Sequence, residues 1–281
     1  MAELETISII IVDFFKAGRV VDNVKGALSQ KGAFELEVIV IDNSCDKDNR
    51  NKLQNLVELS DVTVIFNDAN VGYVEACNQG FDLGSGEYIF LVNPDIVWKS
   101  NDIISDIIST FNEAKDIGVI GVRQENDDGS TPEIVRRFPN IVAQISRRTF
   151  LRRLPWFESR TAEYEVVDFD YSISTDVDWV QSSFMCVKRN VWLDVNGLDS
   201  RFFLFMADPD ICYQTWLKGY RVFYQADILV GADGKRCSAG GLGEFFTNQA
   251  IRYHLRDAIH YQLKYLFKAK TRSKINLISD C

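Results

Sequence analysis

Four aspartates stand where apolar runs of the chain end or where helical patterns begin: Asp13, Asp42, Asp95 and Asp208. The first two follow the first two apolar runs, where a carboxylate can accept hydrogen bonds from a nucleobase N–H or a ribose hydroxyl. A local role is the alternative, because Asp42, Asn43 and Ser44 are all residues that cap helices. The pattern leaves nucleotide binding and capping equally open.

Asp95 lies within the stretch "YIFLVNPDIVW" (88–98), just after its first apolar run ends at Val92. The segment 67–81 contains no G-x-G-x-x-G, and nothing in the chain matches a P-loop, so phosphates would need another partner. A Mg²⁺ or Mn²⁺ ion held by Asp95 would provide one, because these ions bind through one or two carboxylates together with substrate phosphates. The alternative is a simple turn, which Asn, Pro and Asp all favour.

Five short apolar runs predict the strands that would position these acids. They are "ISIIIV" (7–12), "VIVI" (38–41), "VTVIF" (62–66), "YIFLV" (88–92) and "GVIGV" (118–122). Their β-branched, two-faced apolar character is typical of parallel strands covered on both sides. Helical spacing between them, as in 20–31 and 103–115, indicates repeated βαβ units and an open α/β sheet. Ligands of such sheets bind at the carboxyl ends of strands, where Asp95 falls.

The pattern changes after residue 122. The turn signal "DDGSTP" (127–132) is followed by residues 133–175, in which no period is clear. We expect loops and edge strands there that shape the pocket of a second substrate. A strand-like passage (177–189) and a helix-like one (210–219) come next.

Composition limits the class of protein. The chain has 281 residues, 46% of them hydrophobic, which is enough for a full core. Its formal net charge of -9 argues against a surface built for nucleic acid. The six cysteines form no C-x-x-C pair, and the first apolar run is too short for a signal peptide or a membrane span. We therefore expect a cytoplasmic protein.

The C-terminal region reverses the charge of the rest. An amphipathic helix is predicted over 244–270, with one apolar stripe formed by Ile251, Leu255, Ile259, Leu263 and Leu266. Seven basic residues and one acid lie between 249 and 274. We expect the stripe up to Leu263 to pack on the rest of the protein, and the basic end to lie on an anionic membrane surface.

Seven segments, taken together and in order, carry a resemblance to a known family. They are "IIIVDFF" (9–15), "VIDNSCD" (40–46), "NVGYVEACNQGF" (70–81), "FLVNPD" (90–95), "DDGSTPEIVRRFPN" (127–140), "WVQSSFMCVKR" (179–189) and "GLDSRFFLFMADPDIC" (197–212). Over nearly the whole chain, to about residue 240, this series resembles family 2 glycosyltransferases of the GT-A fold, especially rhamnosyltransferase-like members.

The resemblance implies a fold and a division of the chain. The fold would be GT-A, a Rossmann-like α/β architecture with an open, mostly parallel sheet, flanking helices and a C-terminal amphipathic helix. Residues 1–243 would form the catalytic domain, with a nucleotide-sugar-binding half (1–122) and an acceptor-binding half (123–243). Residues 244–281 would form the basic helix and a tail.

The resemblance also assigns a donor site. Asp42 would recognise the nucleobase, Gly72 would let backbone approach the ligand, and Asp95 would stand at the family's metal-binding aspartate, with Asn93 replacing the first acid. The full donor-binding set is Asp13, Phe14, Asp42, Asn70, Gly72, Asn78, Asn93, Asp95, Lys235 and Arg236. The family often places a histidine after the next strand as a further metal ligand. None stands here, so Asp233 is the expected second ligand for Mg²⁺ or Mn²⁺.

For catalysis the resemblance implies an inverting reaction in which Asp208 is the general base that deprotonates the acceptor hydroxyl. Ala207 replaces the glutamate that usually precedes it, and Asp210 is expected to share or take the role. The acceptor would contact Arg137, Trp179, Ser182 and Ser183. For Arg137 a solvated surface position is the commoner alternative to ligand binding, and Trp179 could stack on the apolar face of a sugar.

The resulting hypothesis is transfer of a sugar, with rhamnose from dTDP-rhamnose as the first candidate, to a saccharide or lipid-linked glycan in bacterial surface polysaccharide assembly. The enzyme would be cytoplasmic or peripheral at the inner face of the plasma membrane, and would bind no nucleic acid. Two alternatives stay open: a catalytically impaired module that binds glycan or nucleotide, and a nucleotidyltransferase. Such nucleotidyltransferases usually carry a Gly-rich basic loop after the first strand, and "VDFFKAGR" has only one Gly.

Overall fold

The computed structural model describes residues 4–140, 154–234 and 249–265. Its strands are β1 (Glu5–Asp13), β2 (Phe34–Asp42), β3 (Val62–Phe66), β4 (Tyr88–Val92), β5 (Val97–Trp98), β6 (Ile117–Asn126), β7 (Val135–Arg136), β8 (Thr175–Asp176), β9 (Trp179–Val180), β10 (Phe184–Lys188) and β11 (Arg221–Ala232). Its α-helices are α1 (Ala17–Leu28), α2 (Lys47–Leu53), α3 (Tyr73–Leu83), α4 (Ile103–Glu113), α5 (Pro155–Glu165), α6 (Arg189–Val195), α7 (Ala207–Leu217) and α8 (Gln249–Tyr265).

Within the described residues the strands form one large mixed sheet. Its order is β3-β2-β1-β4-β10-β6-β11-β5, with β8 pairing beside β11, while β7 and β9 form a separate two-stranded sheet. The first four strands of this order run parallel, as the apolar runs predict. The expected α/β fold with an open, mostly parallel sheet and flanking helices is therefore confirmed.

The position of strand β10 in the sheet was not predicted from the sequence. β10 lies between β4 and β6 and runs antiparallel to both, so the fourth and fifth predicted strands are not neighbours. A uniformly apolar run carries no sign of strand direction, because both faces are buried whichever way it runs. The sequence predicted a strand there, and the structure supplies its partner and its direction.

Alternating side chains of the strands bury two apolar layers. In β1, Ile9 and Ile11 face the layer that includes α1 and α4, whereas Ile10 and Val12 face the layer that includes α3 and α7. This is the period-2 alternation of a strand covered on both faces. The two helical layers fix the sheet and leave its carboxyl edge free to carry polar groups.

The region after residue 122 differs from the expected loops and edge strands. β7 is an edge strand as expected, but α5 is a helix that no period in 133–175 indicated. Residues 141–153 lie outside the described part.

The described cysteines are free thiols, and Cys77, Cys186 and Cys212 are buried while Cys45 is exposed.

The expected packing of the C-terminal stripe is wrong. Leu255, Ile259 and Leu263 on α8 are 48 to 64% exposed, and the helix packs instead through a face that includes Asp257 and Tyr261. The packed face includes the charged Asp257, whose carboxylate accepts from backbone N–H groups of the neighbouring loop, so a hydrophobic stripe does not identify it. Leu266, the last member of the stripe, lies outside the described residues. Among the described residues, no helix combines the length and apolar composition that crossing a membrane requires.

Candidate functional site

Four carboxylates lie just after or at the carboxyl ends of strands in the large sheet. Asp13 and Asp42 are direct register partners at the ends of β1 and β2. Asp95 follows β4, and Asp233 follows β11. The sheet therefore gathers at one edge acids that are up to 220 positions apart in the chain.

Asp95 is positioned by a tight turn. The backbone N–H of Ile96 donates to the carbonyl of Asn93 at 3.2 Å, and the Asn23 amide also donates to that carbonyl at 2.7 Å. The backbone N–H of Asn93 donates to the carbonyl of Ser183 on the strand connection beside it, at 2.8 Å. The turn predicted as the local alternative is thus present, and it presents the Asp95 carboxylate at the strand end.

Asp95 and Asp233 converge on one positively charged group. The Lys16 Nζ lies 3.1 Å from Asp95 Oδ1 and 3.1 Å from Asp233 Oδ2, and the Asp233 backbone N–H donates to Asp95 Oδ2 at 3.3 Å. Partial burial of Lys16 opposes its charge, but the two carboxylates outweigh that effect and raise its pKa. Lys16 is not among the site residues predicted from the sequence.

This pair of carboxylates fits a divalent cation. Mg²⁺ and Mn²⁺ are commonly held by one or two carboxylates, with the remaining ligands supplied by water and substrate phosphate. In this structure the two oxygens share one cationic partner, the Lys16 ammonium group. No cluster of three or more His, Cys, Asp or Glu side chains suited to a metal occurs among the described residues. A metal here would therefore depend on ligands from the substrate.

Asp13 and Asp42 belong to a buried polar network. Asn49 Nδ2 donates to both carboxylates, and Asp42 Oδ1 also accepts from the backbone N–H of Ser44 at 2.9 Å. Asp42 Oδ2 makes no hydrogen bond within the described structure; its nearest charge is Arg50 Nε at 3.6 Å. Burial raises the pKa of Asp13, with the hydrogen bonds opposing it.

The capping alternative for Asp42 does not describe this network. Helix α2 is capped by Asp46, whose carboxylate accepts from the backbone N–H of Asn49 at 2.8 Å. Asp42 Oδ2 instead lies buried beside Arg50 Nε. Beside this network, Phe14 and Phe15 are more than half exposed and lie edge-to-face with ring centroids 4.8 Å apart. Phe15 has φ of 60°, a conformation that non-glycine residues rarely adopt outside special sites.

Asn70, Gly72 and Asn78 position backbone. Asn70 Oδ1 accepts from the N–H of Gly72 at 3.0 Å, and Gly72 has φ of 90°. A Cβ on Gly72 would lie 2.6 Å from the carbonyl oxygen of Phe203, so the close approach here is to protein backbone. The Asn78 amide bonds the N–H and the C=O of Leu198. These residues join the start of α3 to the loop that precedes α7.

Asp208 lies in the first turn of α7 and keeps partial contact with solvent. Desolvation by its dense surroundings raises its pKa, while hydrogen bonds from the Ser182 hydroxyl and backbone N–H oppose the rise. Tyr73 Oη donates to Ser182 Oγ at 2.9 Å. A carboxylate with a raised pKa and fixed hydrogen bonds is the usual form of a general base.

Asp210 has a different environment. It is buried, and its carboxylate accepts from Lys264 Nζ at 2.8 Å and from Tyr265 Oη at 2.6 Å. Lys264 also pairs with Asp199 at 2.7 Å. The contacts of Asp210 fasten α8 to α7, and both of its oxygens are engaged by that helix.

The expected acceptor residues lie along β9 and its approaches. Trp179 is buried and its Nε1 donates to the carbonyl of Arg137 at 2.7 Å. The neighbouring Arg136 is also buried, over the Trp179 ring, and its charge lowers the pKa of Asp208. Ser183 Oγ exchanges hydrogen bonds with the Gln124 amide at 2.7 and 3.1 Å. Lys235 and Arg236 lie outside the described residues.

Asp257 is a site residue that sequence reasoning missed. This buried carboxylate on α8 accepts from three consecutive backbone N–H groups, those of Phe203, Leu204 and Phe205, at 2.9 to 3.2 Å. The same loop leads into Asp208, and its Phe203 carbonyl accepts from the N–H of Tyr73 at 2.8 Å. In the sequence Asp257 is the one acid of a basic helix, and that isolation is the signal that could have marked it.

Comparison with known proteins identifies a family. The model described as Glycosyl transferase family 2 matches residues 8–170, more than half of the chain. The rhamnosyltransferase WbbL of Escherichia coli (strain K12) is 25% identical over 195 residues, 69% of this chain and 67% of the relative. The N-acetylglucosaminyl-diphospho-decaprenol L-rhamnosyltransferase of Mycobacterium tuberculosis is 27% identical over 179 residues, 57% of this chain and 56% of the relative.

Solved structures share the fold at low sequence identity. A mannosyltransferase from Pyrobaculum calidifontis, in complex with GDP-Man and Mn²⁺, superposes with a TM-score of 0.64 at 14% identity over 96% of this chain and 67% of its own. GalNAc-T7 with UDP, GalNAc and Mn²⁺ gives 0.60 at 14% identity over 95% of this chain and 57% of its own. These similarities confirm the GT-A architecture.

Proposed function

This chain belongs to glycosyl transferase family 2, and from that premise we propose that it transfers a sugar from a nucleoside diphosphate donor to a saccharide hydroxyl with inversion at the anomeric carbon. The observation that carries the proposal is a continuous line of contacts. The backbone N–H of Asn93 in the Asp95 turn donates to the carbonyl of Ser183, and the adjacent Ser182 lies close enough to Asp208 to lower its pKa. A proposed metal ligand and a proposed base are thereby held by one short stretch of chain.

In the proposed reaction each group has one task. Asp42 binds the nucleobase, and Phe14 offers an exposed ring next to Asp13, the register partner of Asp42. Asp95 and Asp233 would hold a Mg²⁺ or Mn²⁺ ion, which would supply countercharge to the diphosphate. Asp208 takes the proton of the acceptor hydroxyl, whose oxygen bonds to the anomeric carbon as the bond from that carbon to the diphosphate oxygen breaks.

Rhamnose from dTDP-rhamnose is the proposed donor sugar. Support comes from the names of the two curated relatives, both rhamnosyltransferases. The matched stretches span from 56 to 67% of those relatives. The name of the mycobacterial relative specifies a sugar diphosphate on a polyprenol, so we also propose a lipid-linked glycan as acceptor, in the assembly of a bacterial surface polysaccharide.

A lipid-linked acceptor would place the enzyme at a membrane, and we propose α8 as the contact. Leu255, Ile259 and Leu263 form an exposed stripe that is flanked by exposed Arg252 and Arg256. In a chain with a net charge of -9, this face combines apolar area with local positive charge, as interfacial helices do. The proposed partner is the anionic inner leaflet of the plasma membrane.

Release of dTDP from dTDP-rhamnose, measured with a GlcNAc-diphospho-lipid acceptor and Mn²⁺, tests the proposal. UDP- and GDP-sugars serve as alternative donors. We expect Asp95→Asn to lose metal-dependent dTDP binding, and Asp208→Asn to bind dTDP normally but release none from the donor. Nucleotide binding without release from any donor would indicate a binding module, and normal turnover by both variants would contradict the site assignment.

A further inference from the structure

Lys16 is a charged residue that the proposed reaction leaves without a task. It precedes α1, its backbone N–H donates to Asp13 Oδ1 at 2.8 Å, and its side chain is 30% exposed. Its ammonium group lies at equal distances of 3.1 Å from Asp95 Oδ1 and Asp233 Oδ2. The side chain thus reaches the two proposed metal ligands while its backbone is held at the end of β1.

The two carboxylates need a positive partner. Their side chains are only 12 and 5% exposed, and they are close enough for the backbone N–H of Asp233 to donate to Asp95. Two ionised carboxylates with so little solvent exposure repel each other strongly, and a cation between them offsets that repulsion. The Lys16 ammonium supplies that charge in this structure.

The same position cannot hold both cations. A divalent ion binds carboxylate oxygens at about 2.0 to 2.6 Å, so an ion shared by these two oxygens would lie against the Lys16 Nζ. Two positive groups in contact repel strongly at the low effective dielectric of a partly buried site. The lysine has a flexible four-carbon stem and an exposed path, so it can withdraw.

We propose that Lys16 is a built-in competitor for the divalent cation and moves to the donor diphosphate when the cation binds. This inference rests on the metal site of the proposed function. Without nucleotide, the lysine weakens metal binding because its ion pairs with Asp95 and Asp233 must be broken. With nucleotide, the displaced ammonium gains the diphosphate as a partner, so metal and nucleotide strengthen each other's binding.

Binding of Mn²⁺ to the full chain, measured by calorimetry without nucleotide, tests the competition. We expect Lys16→Met to bind Mn²⁺ more tightly than the natural protein, by on the order of tenfold. Arg19→Met is the matched control, since it removes one positive charge three positions further along the chain. The partner of Arg19 is the exposed Asp127, at 3.3 Å. The control is expected to bind Mn²⁺ as the natural protein does.

Lys16→Gln keeps a polar side chain without charge and provides a second variant if Lys16→Met does not fold. Equal or weaker Mn²⁺ binding by the folded Lys16 variant would overturn the inference. Equally strong tightening of Mn²⁺ binding in Arg19→Met would also overturn the inference, because a distant charge would then have the same effect as Lys16.

The coupling with nucleotide gives a second readout. We expect dTDP to strengthen Mn²⁺ binding more in the natural protein than in Lys16→Met, because only the lysine gains a new partner. Equal strengthening in both would overturn the transfer to diphosphate. These measurements need no sugar transfer, so they are distinguishable from the donor assay: a protein that releases no dTDP from any donor can still show the lysine effect.

Discussion

The tie between α8 and the loop before α7 predicts a large effect of one substitution. Asp257 accepts from the backbone N–H groups of Phe203, Leu204 and Phe205, with the Leu204 and Phe205 bonds at 3.0 and 2.9 Å. Replacing Asp257 with Ala leaves three backbone donors without this acceptor in a part-buried loop. A buried donor that is left without an acceptor typically costs about 1 to 3 kcal/mol.

Asp257→Asn is the milder change and keeps the side-chain shape. One amide oxygen remains to accept, but the charge is lost, and each hydrogen bond to a charged group contributes about 1.5 to 3 kcal/mol. We expect Asp257→Asn to lower the free energy of unfolding by about 2 kcal/mol, which is a sizeable part of a total of about 5 to 15 kcal/mol. Urea unfolding followed by circular dichroism measures this quantity.

The same substitution should affect catalysis through position. The loop continues through Met206, at φ of 66°, directly into the turn of α7 that carries Asp208. We expect kcat to fall by about tenfold or more, since small misplacement of a base is costly, while the affinity for dTDP changes little. Asp227→Asn makes the same chemical change at an exposed position and is the control. Unchanged stability together with unchanged kcat in Asp257→Asn would refute the reasoning.

Four further predictions concern single positions. The acidic limb of kcat/KM should lie above the ordinary aspartate range, because Asp208 must be ionised to accept a proton and its pKa is raised by burial. Ser182→Ala removes a hydrogen bond to the ionised form and should move that limb to higher pH in a pH–rate profile. Gly72→Ala should lower the free energy of unfolding by roughly 2 kcal/mol, because φ is 90° and the new Cβ would meet a carbonyl oxygen. Ile259→Glu on the exposed stripe should reduce sedimentation with anionic vesicles without changing the melting temperature.

The Gly72→Ala and Ile259→Glu predictions each have a control in the same chain. Gly18→Ala lies in helix α1 with open space around its Cβ and should not destabilise. Val57→Glu changes an exposed apolar residue away from α8 and should leave vesicle binding intact. An acidic limb that shifts to lower pH in Ser182→Ala, or a fully stable Gly72→Ala, would contradict the respective explanation.

The parallel core of the fold was predictable because its signal is local. Runs such as 7–12 and 88–92 are β-branched and apolar on both faces, and the acids after them mark strand ends. The direction of β10 and the presence of α5 were not predictable, since a short buried run and a helix without a clear stripe carry no directional or periodic signal.

The site divides in the same way. Asp95 was identified because it follows a strand, and its convergence with Asp233 is present in the structure. Lys16 and Asp257 were missed because their partners are far away in the sequence. The partners of Lys16 are 79 or more positions away, and those of Asp257 are at least 52 positions away. Asn78 was expected to face a ligand, whereas its amide is engaged by the backbone of Leu198. Which residues meet across such distances is decided by sheet order, which composition and spacing do not encode.

The insertion of β10 between β4 and β6 has a consequence for how the chain is made. As the nascent polypeptide leaves the ribosome, β4 finds β1 at once, but its other side has no partner until residue 184 has emerged. Until then β4 and β6 each have an unpaired edge. Unpaired apolar strand edges can pair with other chains and promote aggregation. We therefore expect a fragment that stops at residue 170, where the family match ends, to aggregate, and a fragment extended through β11 to be far more soluble.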